Sequence, residues 1–113
     1  MKVNSSMETY LKIAAALNDP TRLMILKFLQ EHGDTCVCEM QHSFGLGQSR
    51  LSRHLKILKE AGLIDVERKG ALAFFYVHPT GTMEKHFLST LDFIDVDLPD
   101  KIHFDIIKKK ATA

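Results

Sequence analysis

The chain has 113 residues, 45% of them hydrophobic and 26% charged, with a formal net charge of +1. These proportions are typical of a globular protein, and the length suits a single domain, which we take to span residues 1–113. The small net charge excludes a chain that attracts polyanions through its total charge. We see no leader peptide and no apolar run long enough to cross a membrane, so we expect a cytoplasmic protein with no membrane partner.

Proline and glycine divide the first third of the chain into two predicted helices. The spacing of apolar residues predicts a first helix from about Ser6 to Leu17. Asp19 can cap a second helix that begins at Pro20, and Gly33 can end it after His32. Since the second helix is apolar on almost all sides, we expect it in the core.

Residues 36–61 contain two more predicted helices. The first runs from Cys36 to Phe44 and the second from Gln48 to Ala61, with Gly45-Leu46-Gly47 as the turn between them. Two helices joined by a short glycine-containing turn are typical of a helix-turn-helix unit, whose second helix lies in the major groove of DNA.

The helix from Gln48 to Ala61 has two different faces. Leu51, Leu55 and Leu58 recur with helical spacing and form an apolar stripe. The opposite side carries hydroxyls and cations, which can approach phosphates and base edges, although a solvated surface helix shows the same pattern. The residues that we expect to contact DNA, two of them in the hairpin that follows, are Gln48, Ser49, Arg50, Ser52, Arg53, His54, Lys56, Arg68 and Lys69.

A β-hairpin is predicted directly after these helices. Residues Leu63–Arg68 and Ala71–His78 read as two strands, with Lys69-Gly70 as the tight turn. A hairpin that follows the second helix and carries cations at its tip is the arrangement of a winged helix-turn-helix. We therefore expect a mainly α fold with one small antiparallel hairpin.

The C-terminal third contains a fifth predicted helix, from about Thr82 to Ile94, and a segment 100–110 that either forms a short helix or frays. The first and fifth helices carry more apolar residues than one copy can readily cover. We infer that they pair with a second copy in a twofold homodimer. Such a dimer fits double-stranded operator DNA with palindromic half-sites.

Three segments carry a resemblance that spans roughly residues 8–95. They are Leu17–Leu23 (LNDPTRL), Cys36–Met40 (CVCEM) and Leu51–Leu58 (LSRHLKIL). Their order and the hairpin resemble the ArsR/SmtB family of winged helix-turn-helix metal-sensing repressors, and CVC beside SRHL is similar to its arsenic-sensing branch. The resemblance implies a repressor that leaves its operator when Cys36 and Cys38 bind arsenite or antimonite, with no obligatory cofactor.

The chain departs from the family pattern at two places. The arsenic-sensing branch has a third cysteine where this chain has Gln41. A site with two thiolates only, a third ligand from the solvent and a site retuned to another soft ion therefore all stay open. The family's other metal site, on the last helix, pairs aspartate and histidine in a spacing that this chain lacks. The acidic residues and histidine nearest that position are Asp92, Asp95, Asp97 and His103.

The two cysteines themselves are predicted to lie in the first turn of the third helix, after capping residues Asp34 and Thr35. Thiolates prefer soft ions, and a helix N-terminus favours thiolate over thiol. Since residues two apart do not face each other on a helix, one ion held by both sulfurs would unwind this turn. Simple packing of both cysteines as small apolar residues is the alternative.

Other functions remain open from the sequence. The same thiols could oxidise in a redox-responsive repressor, or bind another soft metal ion. A small thiol oxidoreductase is disfavoured because no strand precedes the cysteines and no catalytic histidine stands nearby, so we expect no enzyme activity. A pure protein-interaction module would not explain the serine and arginine face.

Overall fold

The computed structural model describes residues 2–112, and the side chains of residues 2–108. Residues 1 and 113 of the expected domain lie outside this part. The helices are α1 (Ser5–Leu17), α2 (Pro20–His32), α3 (Val37–Phe44), α4 (Gln48–Glu60), α5 (Thr82–Ser89) and α6 (Phe104–Thr112), and a 3-10 helix follows α5 at Thr90–Phe93. The strands are β1 (Thr35–Cys36), β2 (Ile64–Lys69) and β3 (Leu72–Val77). The expected mixture of helices and one hairpin is confirmed.

The helix ends follow local capping chemistry. The side chain of Asp19 accepts a hydrogen bond from the backbone N–H of Arg22 at 3.0 Å, so this cap is as predicted. Asn4 caps α1 in the same way, and the helix therefore begins one residue earlier than expected. At the end of α3, Gly45 has a φ of 66°, a left-handed conformation that turns the chain towards α4.

The three strands form one antiparallel sheet in the order β1-β3-β2. The pairing of Lys69 with Leu72 leaves Gly70-Ala71 as the turn, one residue later than expected. Gly70 has a φ of 64°, whereas Ala71 has a negative φ. A type II′ turn requires a positive φ at its first central residue only, and glycine occupies that position here. Strand β1 was not expected, and it pairs Cys36 with Phe74.

Helix α5 is shorter than the expected Thr82–Ile94. The hydroxyl of Thr90 donates to the carbonyl of Phe87 at 2.6 Å, and such local bonds compete with the helical ladder. The ammonium of Lys27 donates to the carbonyls of Leu91 and Ile94, which satisfies the last turn. The chain then runs without regular structure to α6. Of the two possibilities for segment 100–110, a short helix or fraying, the structure shows the helix.

The core lies between α2, α4, the sheet and the inner faces of α1 and α5. Its members are apolar side chains, most of them on helices and two at or next to the start of β2, and they include Ile13, Ile25, Leu26, Leu29, Met40, Leu51, Leu55, Leu58, Leu63, Ile64, Leu88 and Leu91. The prediction that α2 belongs in the core is confirmed by the burial of Ile25, Leu26, Phe28 and Leu29. Within residues 2–112 no helix is both apolar enough and long enough to cross a lipid bilayer.

Candidate functional site

The outer face of α4 is open to solvent. Leu51, Leu55 and Leu58 are buried and anchor the helix, as their spacing predicts. All the predicted contact residues of α4 except His54 are exposed, and we call them the recognition surface: Gln48, Ser49, Arg50, Ser52, Arg53 and Lys56. Lys56 forms a solvent-exposed ion pair with Glu60 at 4.0 Å, which contributes little to stability. The recognition surface thus offers hydroxyl, amide and guanidinium donors on one side of a firmly packed helix.

His54 does not belong to that surface. Only 8% of the residue is exposed, and its Nδ1 lies 3.2 Å from Nη1 of Arg22. The expectation that His54 faces DNA is therefore contradicted. The residue lies on the buried edge of α4 because the apolar stripe is wider than the three leucines indicate. Burial lowers the pKa of His54, and the Arg22 charge lowers it further, although Asp19 acts in the opposite direction.

The hairpin places its cations next to the recognition surface. Arg68 and Lys69 are both exposed near the tip, and the ammonium of Lys69 lies 5.3 Å from the centre of the Phe74 ring. Arg68 also borders a cavity of about 400 Å³ to which Gln48 and Ser52 of α4 contribute. The hairpin and the exposed side of α4 therefore meet at one cavity.

The same cavity is bordered by both cysteines and by Gln41. Cys36 lies at the end of β1 and is the N-cap residue of α3, with an extended backbone at φ −80° and ψ 158°. The prediction that Cys36 belongs to the first helical turn, capped by Asp34 and Thr35, is wrong because pairing with β3 keeps this residue extended. Cys38 is in the first turn, as expected. Thr35 is instead buried in β1.

Glu39 completes the cap that the cysteine begins. The backbone N–H of Cys36 donates to Oε1 of Glu39 at 3.0 Å, while the Cys36 side chain faces the backbone N–H of Glu39. This reciprocal arrangement is a capping box with a thiol in place of a hydroxyl. The Cys-x-x-Glu spacing is the sequence signal that could have identified Glu39 in advance.

The two thiols differ in accessibility. Cys36 is only 1% exposed, whereas Cys38 is partly exposed. Burial raises the pKa of the Cys36 thiol, and the neighbouring Glu39 carboxylate adds to this rise against the opposing effect of its N–H. The expectation that the helix N-terminus favours a thiolate is therefore contradicted at Cys36.

His42 stands one helical turn after Cys38. Its Nδ1 lies 3.9 Å from Sγ of Cys38 but only 2.9 Å from the Cys38 carbonyl oxygen. Because a carbonyl oxygen only accepts, Nδ1 carries the proton and has no free lone pair for an ion. Among the side chains described, no three from His, Cys, Asp and Glu are grouped as a metal ion would require.

A second surface, apolar in character, lies along α1 and α5. Leu11 of α1 is 54% exposed, and an open groove of about 610 Å³ runs between α1 and Phe87 of α5. Tyr10 packs edge-on against Phe87 with the ring centres 5.0 Å apart. Phe93, at the end of the 3-10 helix, is 91% exposed. Exposed apolar side chains beside an open apolar groove are typical of a protein interface.

Comparison with known proteins agrees with this geometry. Residues 19–66 match the family model described as bacterial regulatory protein, arsR family. An uncharacterized HTH-type transcriptional regulator of Methanocaldococcus jannaschii is 45% identical over 74 residues, which cover 63% of this chain and 83% of that protein. The arsenical resistance operon repressor of Bacillus subtilis is 47% identical over 60 residues, or 53% of this chain and 57% of the repressor.

Solved structures with the same fold include a homodimeric winged helix-turn-helix DNA-binding domain from Mycobacterium bovis, a possible ArsR-family regulator. It superposes with a TM-score of 0.68 at 21% identity and covers 79% of this chain and 80% of that domain. The predicted winged helix-turn-helix fold is thereby confirmed. This chain spans about half the length of three of the arsenic and arsenical resistance regulators that it matches, those of Pseudomonas putida, Bacillus subtilis and Escherichia coli. The chain belongs to the arsR family of bacterial regulatory proteins.

Proposed function

We propose that this protein is a transcriptional repressor whose operator complex is released when Cys36 and Cys38 bind trivalent arsenic or antimony. The observation that carries the proposal is the shared cavity: Cys36 and Cys38 border the same space as Gln48 and Ser52 of the recognition helix and Arg68 of the hairpin. A ligand held by the thiols therefore occupies the junction between the two elements that approach DNA.

The recognition surface and the hairpin are the proposed DNA contacts. Arg50 and Arg53 can donate two hydrogen bonds each to guanine edges or to phosphates, and Ser49 and Ser52 are short enough to let the helix approach closely. Arg68 and Lys69 reach the phosphates that flank the groove. Since His54 is buried, its contribution is to hold α4 in place, without contacting DNA.

A homodimer completes the proposed repressor. The apolar groove between α1 and α5, bordered by Leu11 and Phe87, supports a contact with the same surface of a second copy. In a twofold dimer, two recognition helices would face half-sites about one DNA turn apart. This supports a palindromic operator.

The proposed binding of the inducer is a reaction between two thiols and one molecule of arsenite. Arsenite, As(OH)₃, exchanges two of its hydroxyls: two S–As bonds form, two As–O bonds break, and the hydroxyls leave as water with the thiol protons. Arsenic stays trivalent and keeps the remaining hydroxyl as its third substituent, in the place that a third cysteine would fill. The cavity beside Gln41 has the volume to hold that hydroxyl.

Capture of the ion would act on DNA binding through Cys36. This residue is buried, and its backbone is paired with Phe74 of the hairpin and hydrogen-bonded to Glu39 of α3. Because Cys36 is only 1% exposed, its thiol has to move out of its buried position before it can share one ion with Cys38. This movement would strain the β1–β3 pairing and the N-terminal cap of α3. The sequence alone instead leads us to expect that the first turn of α3 unwinds. An inducer that binds only the distorted state shifts the population away from DNA.

The test is a mobility-shift assay with a duplex that the purified protein selects from a random library. We expect arsenite to release the wild-type protein, whereas a C36S/C38S double variant should bind the duplex equally well and stay bound. In parallel assays, peroxide or a soft divalent cation replaces arsenite. Release by peroxide alone would identify a redox-responsive repressor, release by the cation alone a different metal sensor, and a protein that selects no duplex would overturn repression itself.

A further inference from the structure

The C-terminal part of the chain lies across α3, the helix that begins at the cysteines. We call residues 101–108 the strap. At one end of α3 the ammonium of Lys101 donates to the carbonyl of Asp34 at 3.2 Å. At the other end the backbone N–H of Ile102 donates to the hydroxyl of Ser43 at 2.9 Å. These bonds fix the strap on α3 rather than on the exposed face of α4.

The first turn of α6 attaches the strap to Glu39. The backbone N–H of Phe104 donates to Oε2 of Glu39 at 3.0 Å, and Nδ1 of His103 lies 3.9 Å from the same oxygen. Ile107, one turn later, is only 9% exposed, whereas its neighbour Ile106 is 47% exposed. Besides the bonds from Lys101 and Ile102, the strap is therefore held by its polar contacts with Glu39 and by the burial of Ile107.

A single buried carboxylate thus serves two partners. Oε1 of Glu39 accepts from the N–H of Cys36, and Oε2 accepts from the N–H of Phe104. Burial by itself would raise the pKa of Glu39, but the hydrogen bonds from Cys36 and Phe104 outweigh it and lower the pKa. The carboxylate is consequently charged, and both bonds are charge-assisted.

We propose that Glu39 is a positioning residue that links the thiol site to the docking of the strap. This inference rests on the proposed function for its trigger. When Cys36 leaves its buried position, Glu39 loses the donor that holds Oε1 and reorients. The bond from Oε2 to Phe104 weakens with it, and the strap loosens. Free protein and DNA-bound protein keep the strap docked.

Thermodynamic reciprocity gives the link a second consequence. If thiol capture loosens the strap, then loosening the strap makes the Cys36 thiol easier to reach by the same factor. A change in α6, which does not include either cysteine, must therefore alter the chemistry of Cys36. A strap that is merely packed on the fold would have no such effect.

The direct experiment is hydrogen exchange, followed by mass spectrometry, on the full chain with and without arsenite. We expect exchange of the amides of residues 102–107 to accelerate about fivefold or more on arsenite addition. The C36S/C38S variant should show no acceleration. Unchanged exchange in a wild-type protein that arsenite does release from DNA would overturn the link while leaving the proposed function intact.

A second experiment requires no inducer, so it tests the link between the strap and Cys36 independently of the proposed response to arsenite. In a C38S background, Ile107→Asp should raise the alkylation rate of Cys36 about fivefold or more. Ile106→Asp is the matched control because it adds the same charge at an exposed neighbour, and it should leave the rate unchanged. Glu39→Gln, which replaces one acceptor oxygen by a donor NH₂, should raise both the alkylation rate and the exchange of the strap. Equal alkylation rates in the Ile107 and Ile106 variants would overturn the link even if arsenite binds.

Discussion

Nη1 of Arg22 lies 3.2 Å from Nδ1 of His54, and this contact joins α4 to the junction between α1 and α2. The same guanidinium donates from Nε to the carbonyl of Ala16 at 2.7 Å. Because a guanidinium can only donate, Nδ1 of His54 must accept, and the imidazole is neutral with its proton on Nε2. The orientation of α4 relative to the proposed dimer helices thus depends on an uncharged histidine.

Acid should therefore destabilise the fold through His54. Burial, supported by the Arg22 charge, holds the pKa of His54 below its ordinary value of 6.5. The unfolded chain then takes up a proton at a pH where the folded chain does not, so this contribution to stability is complete above 6.5 and is lost as the pH falls below it. We expect the urea midpoint to drop between about pH 7.5 and about pH 5.5.

The histidine responsible can be identified by substitution. His54→Gln keeps an acceptor for Arg22 but cannot be protonated, so its urea midpoint should vary less with pH over this interval. His86→Gln, at an exposed position of α5, should retain the wild-type dependence. A His54→Gln protein with the full wild-type pH dependence would refute this assignment.

Much of the fold follows from local sequence. The Asp19-Pro20 start of α2, the glycines that bound the helix-turn-helix unit and the leucine stripe of α4 each act over a few residues, and each was predicted correctly. The exposure of the recognition surface could also be predicted from local sequence. Helical periodicity fixes which side chains oppose the buried stripe.

The parts that could not be predicted depend on partners distant in the chain. Strand β1 has two residues and exists only because Cys36 pairs with Phe74. The burial of His54 depends on Arg22, and the role of Glu39 depends on Phe104. No local pattern reports such contacts. The thiol pKa was wrongly anticipated because burial outweighed the helix N-terminus.

DNA affinity should depend on the recognition surface in a graded way. We expect Arg53→Ala to weaken operator binding by about 1–3 kcal/mol, or about tenfold to a hundredfold, because the side chain is exposed and aligned with Ser49. Arg68→Ala should weaken all sequences similarly and reduce the salt slope by about one. Fluorescence anisotropy at several salt concentrations measures both effects.

Lys85→Ala is the control for these two variants, since it removes an exposed cation from α5, away from the recognition surface. Its affinity should equal that of the wild-type protein. If Arg53→Ala and Lys85→Ala bound DNA with the same affinity, α4 could not be the recognition helix.

Oligomeric state should respond to the apolar groove. Leu11→Glu places a carboxylate on a surface that we expect to be buried between two copies, and an unpaired buried charge costs several kcal/mol. Sedimentation velocity should show a dimer for the wild-type protein and a monomer for the variant. Glu31→Lys, an exposed change on α2, should leave the dimer intact. A Leu11→Glu protein that remains dimeric would place the interface elsewhere.

The two cysteines should react with an alkylating reagent at different rates and for different reasons. With Cys38→Ser, only the buried Cys36 is left, and its thiol, whose pKa is raised above 9.0, stays protonated at neutral pH. With Cys36→Ser, the partly exposed Cys38 remains. At about pH 7.5 we expect Cys38 to react at least about tenfold faster, since Cys36 must first open locally.

The pH dependence of the same reaction separates the effect of the raised pKa of Cys36 from the effect of its restricted access. The rate at Cys36 should continue to rise with pH beyond 9.0, because each step in pH converts more thiol to thiolate. In concentrated urea, where burial is lost, the two cysteines should react alike. Equal rates in the folded protein would mean that Cys36 is freely accessible, and the distortion by which we expect the inducer to release DNA would then have no physical origin.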